Sequence, residues 1–285
     1  MSENPEPVLV IERDGPVALL RMNRPSALNA FNLELRKEIV RVLGELAEDD
    51  DVRAVVLAGS GRAFSAGYDI SGGGNGDKKP SVAEYQKMSM GEVGHFPMAI
   101  WDFPKPIIAA VHGYAVGGGC EIAMLCDMTV AAESAKFGEP EIRFASSSTL
   151  VLPWLVPMKA AREILYSGKL ITAQRAYELG MINEVVPDGD HERAAMYQAQ
   201  LLSRIAPLAL RLVKAGLNKT YEMAGFRNAI AFHDTLTAII HGSETAEGVA
   251  FREVQAKEGL RAALKWRDAQ FSKVDELYGN KGGSK

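Results

Sequence analysis

The chain opens with two short apolar runs, VLVIER and VALLRM, on either side of Asp14-Gly15. That pattern predicts a β-hairpin over residues 8–22. After RPSALNAFN the period changes. Leu35, Ile39, Val42, Leu43 and Leu46 recur at helical spacing, and Asn32 is a residue suited to cap that helix. DVRAVVLAG, residues 51–59, is the continuous apolar run of a buried strand, and KPIIAAVHG, residues 105–113, is another. Between them SGGGNGDKKP, residues 71–80, is expected to be mobile, with a helix running from Val82 into the mid-nineties. CEIAMLCD then reads as a helix and MTVAAE as a strand.

Strand and helix thus alternate through the first two-thirds, which predicts an α/β layout. Beyond residue 200 the pattern is helical, in 201–220, 226–240 and 243–266. No clear linker or fixed-period repeat separates the parts. The expected division is a core over 1–200 and a helical region over 201–285, ending in a frayed GNKGGSK. Helices apolar on more than one face either cap a core or pack against another subunit.

Composition narrows the function classes. The 285 residues are 47% hydrophobic and 24% charged, as in an ordinary globular protein. A net charge of −4 argues against a nucleic-acid partner. No apolar run is long enough to span a bilayer. MSENPEPVLV is neither a secretory signal nor a transit peptide, so a cytoplasmic location is expected. Cys120 and Cys126 are expected to be reduced, buried thiols. No Cys/His set has metal-ligand spacing, and His95, His112, His191, His233 and His241 are scattered, as structural histidines are.

The candidate chemistry lies in HGYAVGGGCEIAMLCD, residues 112–127. Gly117, Gly118 and Gly119 interrupt an apolar run, and Glu121 follows at once. Glycines there mark either a tight strand-to-helix turn or a place where a ligand touches bare backbone. VLAGSGRAFSAGYDI has the same form, a strand running into small residues. Two such loops, if they meet, each aim one N–H at a shared point and stabilise an oxyanion such as a thioester enolate. A helix starting near Gly118 adds its positive end. Glu121 lies in an apolar helix, and KFGEPEIRF supplies Glu139 and Glu141 around Pro140. Two carboxylates in different surroundings divide acid and base work. The alternatives are a buried ion pair for Glu121 and a loop salt bridge for Glu141.

RPSALNAFN, AFSAGYDI, KPIIAAVHGYAVGGGCEIAMLCD and AKFGEPEIRF stand in the order found in the enoyl-CoA hydratase/isomerase, or crotonase, family, which this chain resembles over residues 8–271. ITAQRAYELGMINEVVP is similar to that family's downstream helix–strand unit. The resemblance implies an α/β fold, a crotonase-like spiral of repeated β-β-α units with a C-terminal α-helical trimerisation region. It implies a homotrimer or homohexamer binding acyl-CoA, with the thioester oxygen between the N–H groups of Tyr68 and Gly118. It places the hydratase glutamates at Glu121, as the water-activating partner, and Glu141, as the proton donor to carbon. The CoA adenine end then lies near Ala27, Leu28, Ala66, Asp69 and Ile70. CoA is part of the substrate, and no metal or redox cofactor is implied.

The implied reaction is addition of water to a trans-2-enoyl-CoA. The alternatives are isomerisation or another acyl-CoA reaction, such as dehydration or ring-ketone hydrolysis, and, on different grounds, a non-catalytic CoA- or RNA-binding role. The family's glycine-rich turn after Glu141 is here FASSSTLVLPWLVP, which offers Ser146, Ser147 and Ser148 as water-placing hydroxyls. The position of a CoA-contacting lysine falls near Trp266, beside Lys265 and Arg267. Met88, Met90, Met98 and Trp101 are candidate acyl-pocket lining, the alternative being that they are plain core.

Overall fold

The computed structural model describes residues 6–71, 81–89, 96–144 and 151–278. The hairpin forms as expected: β1 (Leu9–Asp14) pairs antiparallel with β2 (Val17–Met22) around Gly15. Helix α1 (Leu33–Glu48) follows, with the Asn32 side chain accepting from the Leu35 N–H at 2.9 Å. Its five predicted apolar positions are all buried. Strand β3 (Ala54–Gly59) comes next, fully buried along its length.

Residues 72–80 lie outside the described part, so the expectation of mobility there has no structural counterpart. The helix predicted from Val82 is α2 (Val82–Ser89); residues 90–95 are not described, and α3 (Phe96–Asp102) follows. Expected as one strand, residues 105–113 end early. Strand β4 (Ile107–Val111) stops before Gly113, where φ is 58°, and the chain turns into β5 (Tyr114–Val116) in a different sheet. Helix α4 (Gly118–Leu125) starts inside the glycine run.

Strands β6 (Met128–Ala132) and β7 (Lys136–Gly138) repeat the β4–β5 step, and a 3-10 turn, Pro140–Phe144, carries the chain on. Then come α5 (Leu152–Leu155), α6 (Met158–Ser167), β8 (Ile171–Thr172), α7 (Ala173–Glu178), β9 (Glu184–Val186) and α8 (His191–Leu202). The helical end is α9 (Pro207–Met223), α10 (Phe226–Gly242), α11 (Ala246–Glu258) and α12 (Leu260–Tyr278).

One sheet has the order β1-β2-β3-β4-β6-β9, parallel except at β1–β2; the other has the order β5-β7-β8. At the β4–β5 and β6–β7 steps successive strands enter different sheets, so the chain winds as a spiral, the expected α/β architecture. One face of the large sheet packs on α1, α3 and α4 with Phe31, Phe64 and Phe96 at the centre. The other face is covered by α8, whose Ala195 and Ala199 let it lie close on Val56, Ile108 and Val130. Small residues at such a contact keep helix and sheet within packing distance. Helix α9 is tied to this body by Lys214 Nζ to Asp127 Oδ2 at 2.6 Å and by Asn218 Nδ2 to the Trp101 carbonyl at 2.9 Å.

Candidate active site

RPSALNAFN is the frame on which the first loop is hung. Leu28 and Asn29 both adopt positive φ, 50° and 53°. Asn29 is wholly buried and uses its whole amide: Oδ1 accepts from Arg24 N–H at 2.9 Å, and Nδ2 donates to the carbonyls of Ser60 and Ala63 at 2.8 and 2.7 Å. Asparagine tolerates this backbone better than most residues. Ser65 Oγ donates to the Asn29 carbonyl at 2.9 Å. Arg24 reaches across to pair with Asp69 at 2.9 Å. Residues 59–69 are thereby fixed from below.

The second loop is laid against the first. Ser65 N–H donates to the Tyr114 carbonyl at 2.9 Å, and Val116 N–H returns to the Ser65 carbonyl at 3.0 Å. Each of the three glycines answers to a different neighbour. At Gly117, with φ of 57°, a Cβ would overlap Glu141 Oε1. At Gly118 it would strike the edge of the Tyr68 ring at 2.7–2.8 Å. At Gly119 it would overlap the Ser65 carbonyl. All three glycines are buried, and packing within the chain requires each of them.

The two loops meet at Gly67 and Gly118: a Cβ on Gly67 would lie 3.1 Å from the Gly118 nitrogen. Most N–H groups around this junction have acceptors. Ala66 donates to Leu28, Gly67 to Ser65 Oγ, Asp69 to Phe31 and Gly117 to Gly138. Among the described residues, the N–H groups of Tyr68 and Gly118 have none, and neither do those of Gly119 and Cys120 in the first turn of α4. Unpaired donors at adjoining loop ends, at Tyr68 and at the first residue of α4, are what an oxyanion requires.

Three carboxylates gather beside them. Glu121 is 2% exposed, one turn into α4, and Glu139 is 1% exposed at the end of β7. Glu141, in the 3-10 turn, is partly exposed, with its carboxylate against Gly117. Cys120 reports their closeness: burial first, then the charge of Glu139, then those of Glu141 and Glu121 push its thiol well above the ordinary range. Tyr68 keeps 39% of its surface open and packs edge-on to Phe31 at 6.1 Å, with the Arg36 guanidinium 5.8 Å from its ring centre. Burial, lessened by that open surface, and the nearby Glu121 charge raise its hydroxyl above the usual phenol range. A pair of carboxylates, one buried and one partly exposed, beside unpaired N–H donors can hold a water and move a proton at a bound carbonyl compound.

The other predicted residues divide. Ala27, Leu28 and Ala66 are partly exposed along the same rim, and Ile70 is 38% exposed. Asp69 has its carboxylate committed to Arg24 and to Ser71, whose N–H and Oγ donate at 3.0 and 2.6 Å. Met98 and Trp101 pack against the core, Trp101 stacking on Phe226 at 4.3 Å. Both are partly buried, a position that suits core packing and pocket lining alike. The Met88 side chain, Met90, His95 and Ser146, Ser147 and Ser148 lie outside the described residues. Near Trp266, Lys265 is exposed and Arg267 pairs with Asp268 at 2.8 Å. Arg24, Asn29 and Ser65 were missed by the sequence reading. Their signal was polar residues inside two motifs whose apolar neighbours are core. Both cysteines are free and buried, as expected. Among the described residues no group of three or more His, Cys, Asp or Glu is placed to hold a metal, and no helix is long and apolar enough to cross a membrane.

Comparison with known proteins matches residues 12–258 to the enoyl-CoA hydratase/isomerase family model. A short-chain-enoyl-CoA hydratase of Clostridium acetobutylicum is 34% identical over 265 residues, covering 91% of this chain and 95% of that protein. A crotonyl-CoA hydratase of Syntrophomonas wolfei is 33% identical over 270 residues, covering 92% and 97%. The crystal structure of an enoyl-CoA hydratase/isomerase from Xanthobacter autotrophicus superposes with a TM-score of 0.88 at 35% identity, covering 93% of this chain and 98% of that one.

Proposed function

Because the chain belongs to the enoyl-CoA hydratase/isomerase family, we propose that it adds water across the double bond of a trans-2-enoyl-CoA. The observation that carries this reading is the junction of Gly67 with Gly118, where the N–H groups of Tyr68 and Gly118 have no acceptors among the described residues, with Glu121 in the same helix as Gly118 and Glu141 against Gly117. The thioester oxygen accepts from both N–H groups, and the charge that builds on it as the enolate forms is met by fixed donors. Loss of one such donor typically costs about 10²–10³ in rate.

Glu121 takes a proton from water as its oxygen bonds to Cβ. Glu141 gives a proton to Cα, and the enolate returns to a thioester. One hydroxyl and one hydrogen are added, and no electrons are transferred. The reaction therefore calls for no redox cofactor, and CoA enters as part of the substrate. The adenine end of CoA runs along Ala27, Leu28, Ala66, Asp69 and Ile70, with Asp69 offering its backbone carbonyl because its carboxylate and N–H are engaged.

The assembly we propose is a homotrimer or a hexamer of two trimers, in the cytoplasm. Helix α9 supports this, since it buries none of its residues within the chain and exposes Leu208, Leu212 and Leu217, while α10 exposes Phe232 and Leu236. Such a surface is apolar beyond what a solvated helix needs.

The test follows the conjugated thioester absorbance with crotonyl-CoA and a medium-chain trans-2-enoyl-CoA. Wild type consumes it, and Glu121→Gln and Glu141→Gln each lower the rate by at least about 10². A wild type that binds CoA but leaves both thioesters unchanged overturns the reading. A 3-enoyl thioester run in parallel detects isomerisation.

A further inference from the structure

The turn that carries Glu141 is held from outside the catalytic junction. Arg143 stands two residues further along the same 3-10 turn and points away from the junction, toward α12. Its Nε donates to the Ser167 carbonyl, the last residue of α6, at 2.7 Å. Its guanidinium lies 4.3 Å from the ring centre of Phe271 and 3.9 Å from Asp268, both on α12. The Arg143 side chain is only 12% exposed. Gly168 makes the slot for it: a Cβ there would come 2.9 Å from Arg143 Cγ. One residue on, Lys169 pairs with Asp275 of α12 at 3.0 Å. So α12 is fastened to Arg143 and Lys169 by two ion pairs and one cation–ring contact, while the carbonyl contact ties Arg143 to the end of α6. A buried guanidinium uses its planar fork and flat face together, which an ammonium cannot do.

We propose that Arg143 is a positioning residue for Glu141: it ties the catalytic turn to the C-terminal helix, so that the docking of α12 sets where the proton donor stands. The inference rests on the proposed role of Glu141. Misplacing a catalytic group by about an ångström costs up to about 10² in rate without touching the binding contacts. The effect is therefore confined to kcat. It also vanishes when Glu141 can no longer donate.

The test measures kcat and KM for crotonyl-CoA hydration, the affinity for unreactive butyryl-CoA, and amide exchange over residues 140–144. The variants are Arg143→Gln, Arg143→Lys, Phe271→Leu, Glu141→Gln and the double variant Arg143→Gln/Glu141→Gln. The expected result is a fall in kcat of about 10-fold or more for Arg143→Gln, with a smaller fall for Arg143→Lys and Phe271→Leu. Butyryl-CoA affinity stays within about twofold, exchange over 140–144 speeds up, and the double variant is no slower than Glu141→Gln alone. Additive losses in the double variant, or a rise in KM at constant kcat, overturn the proposal. If wild type hydrates nothing, the hydratase reading falls by itself. Amide exchange then decides: unchanged exchange over 140–144 in Arg143→Gln overturns the strut, and faster exchange there sustains it.

Discussion

The carboxylate of Glu141 lies so close over Gly117 that a Cβ at that glycine would overlap Oε1. The backbone there, φ 57° and ψ −129°, is also one that L residues rarely adopt. Gly117→Ala thus combines strain with displacement of the proposed proton donor. Its hydration rate is expected to fall by about 10² or more, with a lowered melting temperature. Gly44 is the control. It lies exposed inside α1 with nothing within 4 Å of its would-be Cβ. Gly44→Ala is expected to raise stability by about 0.5–1 kcal/mol and leave hydration unchanged. Equal losses in the two variants would show that the position of Glu141 is not what Gly117 protects.

Asn29 joins the Arg24 turn to the first loop through one amide, and its chemistry is directional. Nδ2 gives two hydrogen bonds to carbonyls, which a carboxylate cannot do. Asn29→Asp places a charge against the Ser60 and Ala63 oxygens with no water to screen it. Asn29→Ala leaves those oxygens unsatisfied at about 1–3 kcal/mol. Both variants are expected to lose stability at pH 7, Asn29→Asp more. Because its acid form can donate one hydrogen bond, Asn29→Asp is expected to narrow its deficit relative to Asn29→Ala as pH falls toward 4. Thermal melts of the two at pH 7 and pH 4.5 check the order. If Asn29→Asp matches wild type, the amide is not the fastening.

These two sites mark how far the sequence carries. Asn32 as a cap, the buried stripe of α1 and the hairpin around Gly15 were legible because each depends on neighbours a few residues away. The break between β4 and β5 was not, because Gly113 turns to clear the Arg62 carbonyl, an atom from a distant segment. The α/β spiral and the pair Glu121 and Glu141 came from motif order. That the loops of Gly67 and Gly118 touch is a tertiary fact, and so is the committed carboxylate of Asp69. Trp101 was legible only as apolar; that its ring stacks on Phe226 is again a tertiary fact.

Cys120 is expected to be chemically silent in the folded protein. Its thiol is 1% exposed and is pushed up by burial and by the carboxylates of Glu139, Glu141 and Glu121. Cys126 is buried and likewise raised, by burial and by Asp127. Thiolate is the reacting form, so both lack the species that an alkylating agent attacks. Iodoacetamide at pH 8 is expected to leave the native chain unmodified and to label both cysteines once it is unfolded. Rapid labelling of Cys120 before unfolding would mean that the carboxylate cluster is not closed around it.

His191 gives the fold an acid limit separate from its carboxylates. Its ring packs on His112 at 4.7 Å, and both of its buried ring nitrogens lack hydrogen-bond partners among the described residues. Burial first, then the His112 and Arg21 charges, lower its pKa below the ordinary 6.5, while Glu192 and Asp188 oppose the shift. A histidine whose folded pKa is depressed takes up its proton more readily when unfolded. Above pH 6.5 both states are neutral there and His191 contributes nothing to the pH dependence. As pH falls from 6.5 through the folded value, the unfolded state binds the extra proton and stability declines. Asp69, Asp49 and Asp188, all held below the usual carboxylate range, add their losses only at lower pH, as they become protonated. Urea melts at steps from pH 7.5 to 5 are therefore expected to show a decline in wild type that is reduced in His191→Asn. A variant with the same slope as wild type over that window would assign the decline to other groups.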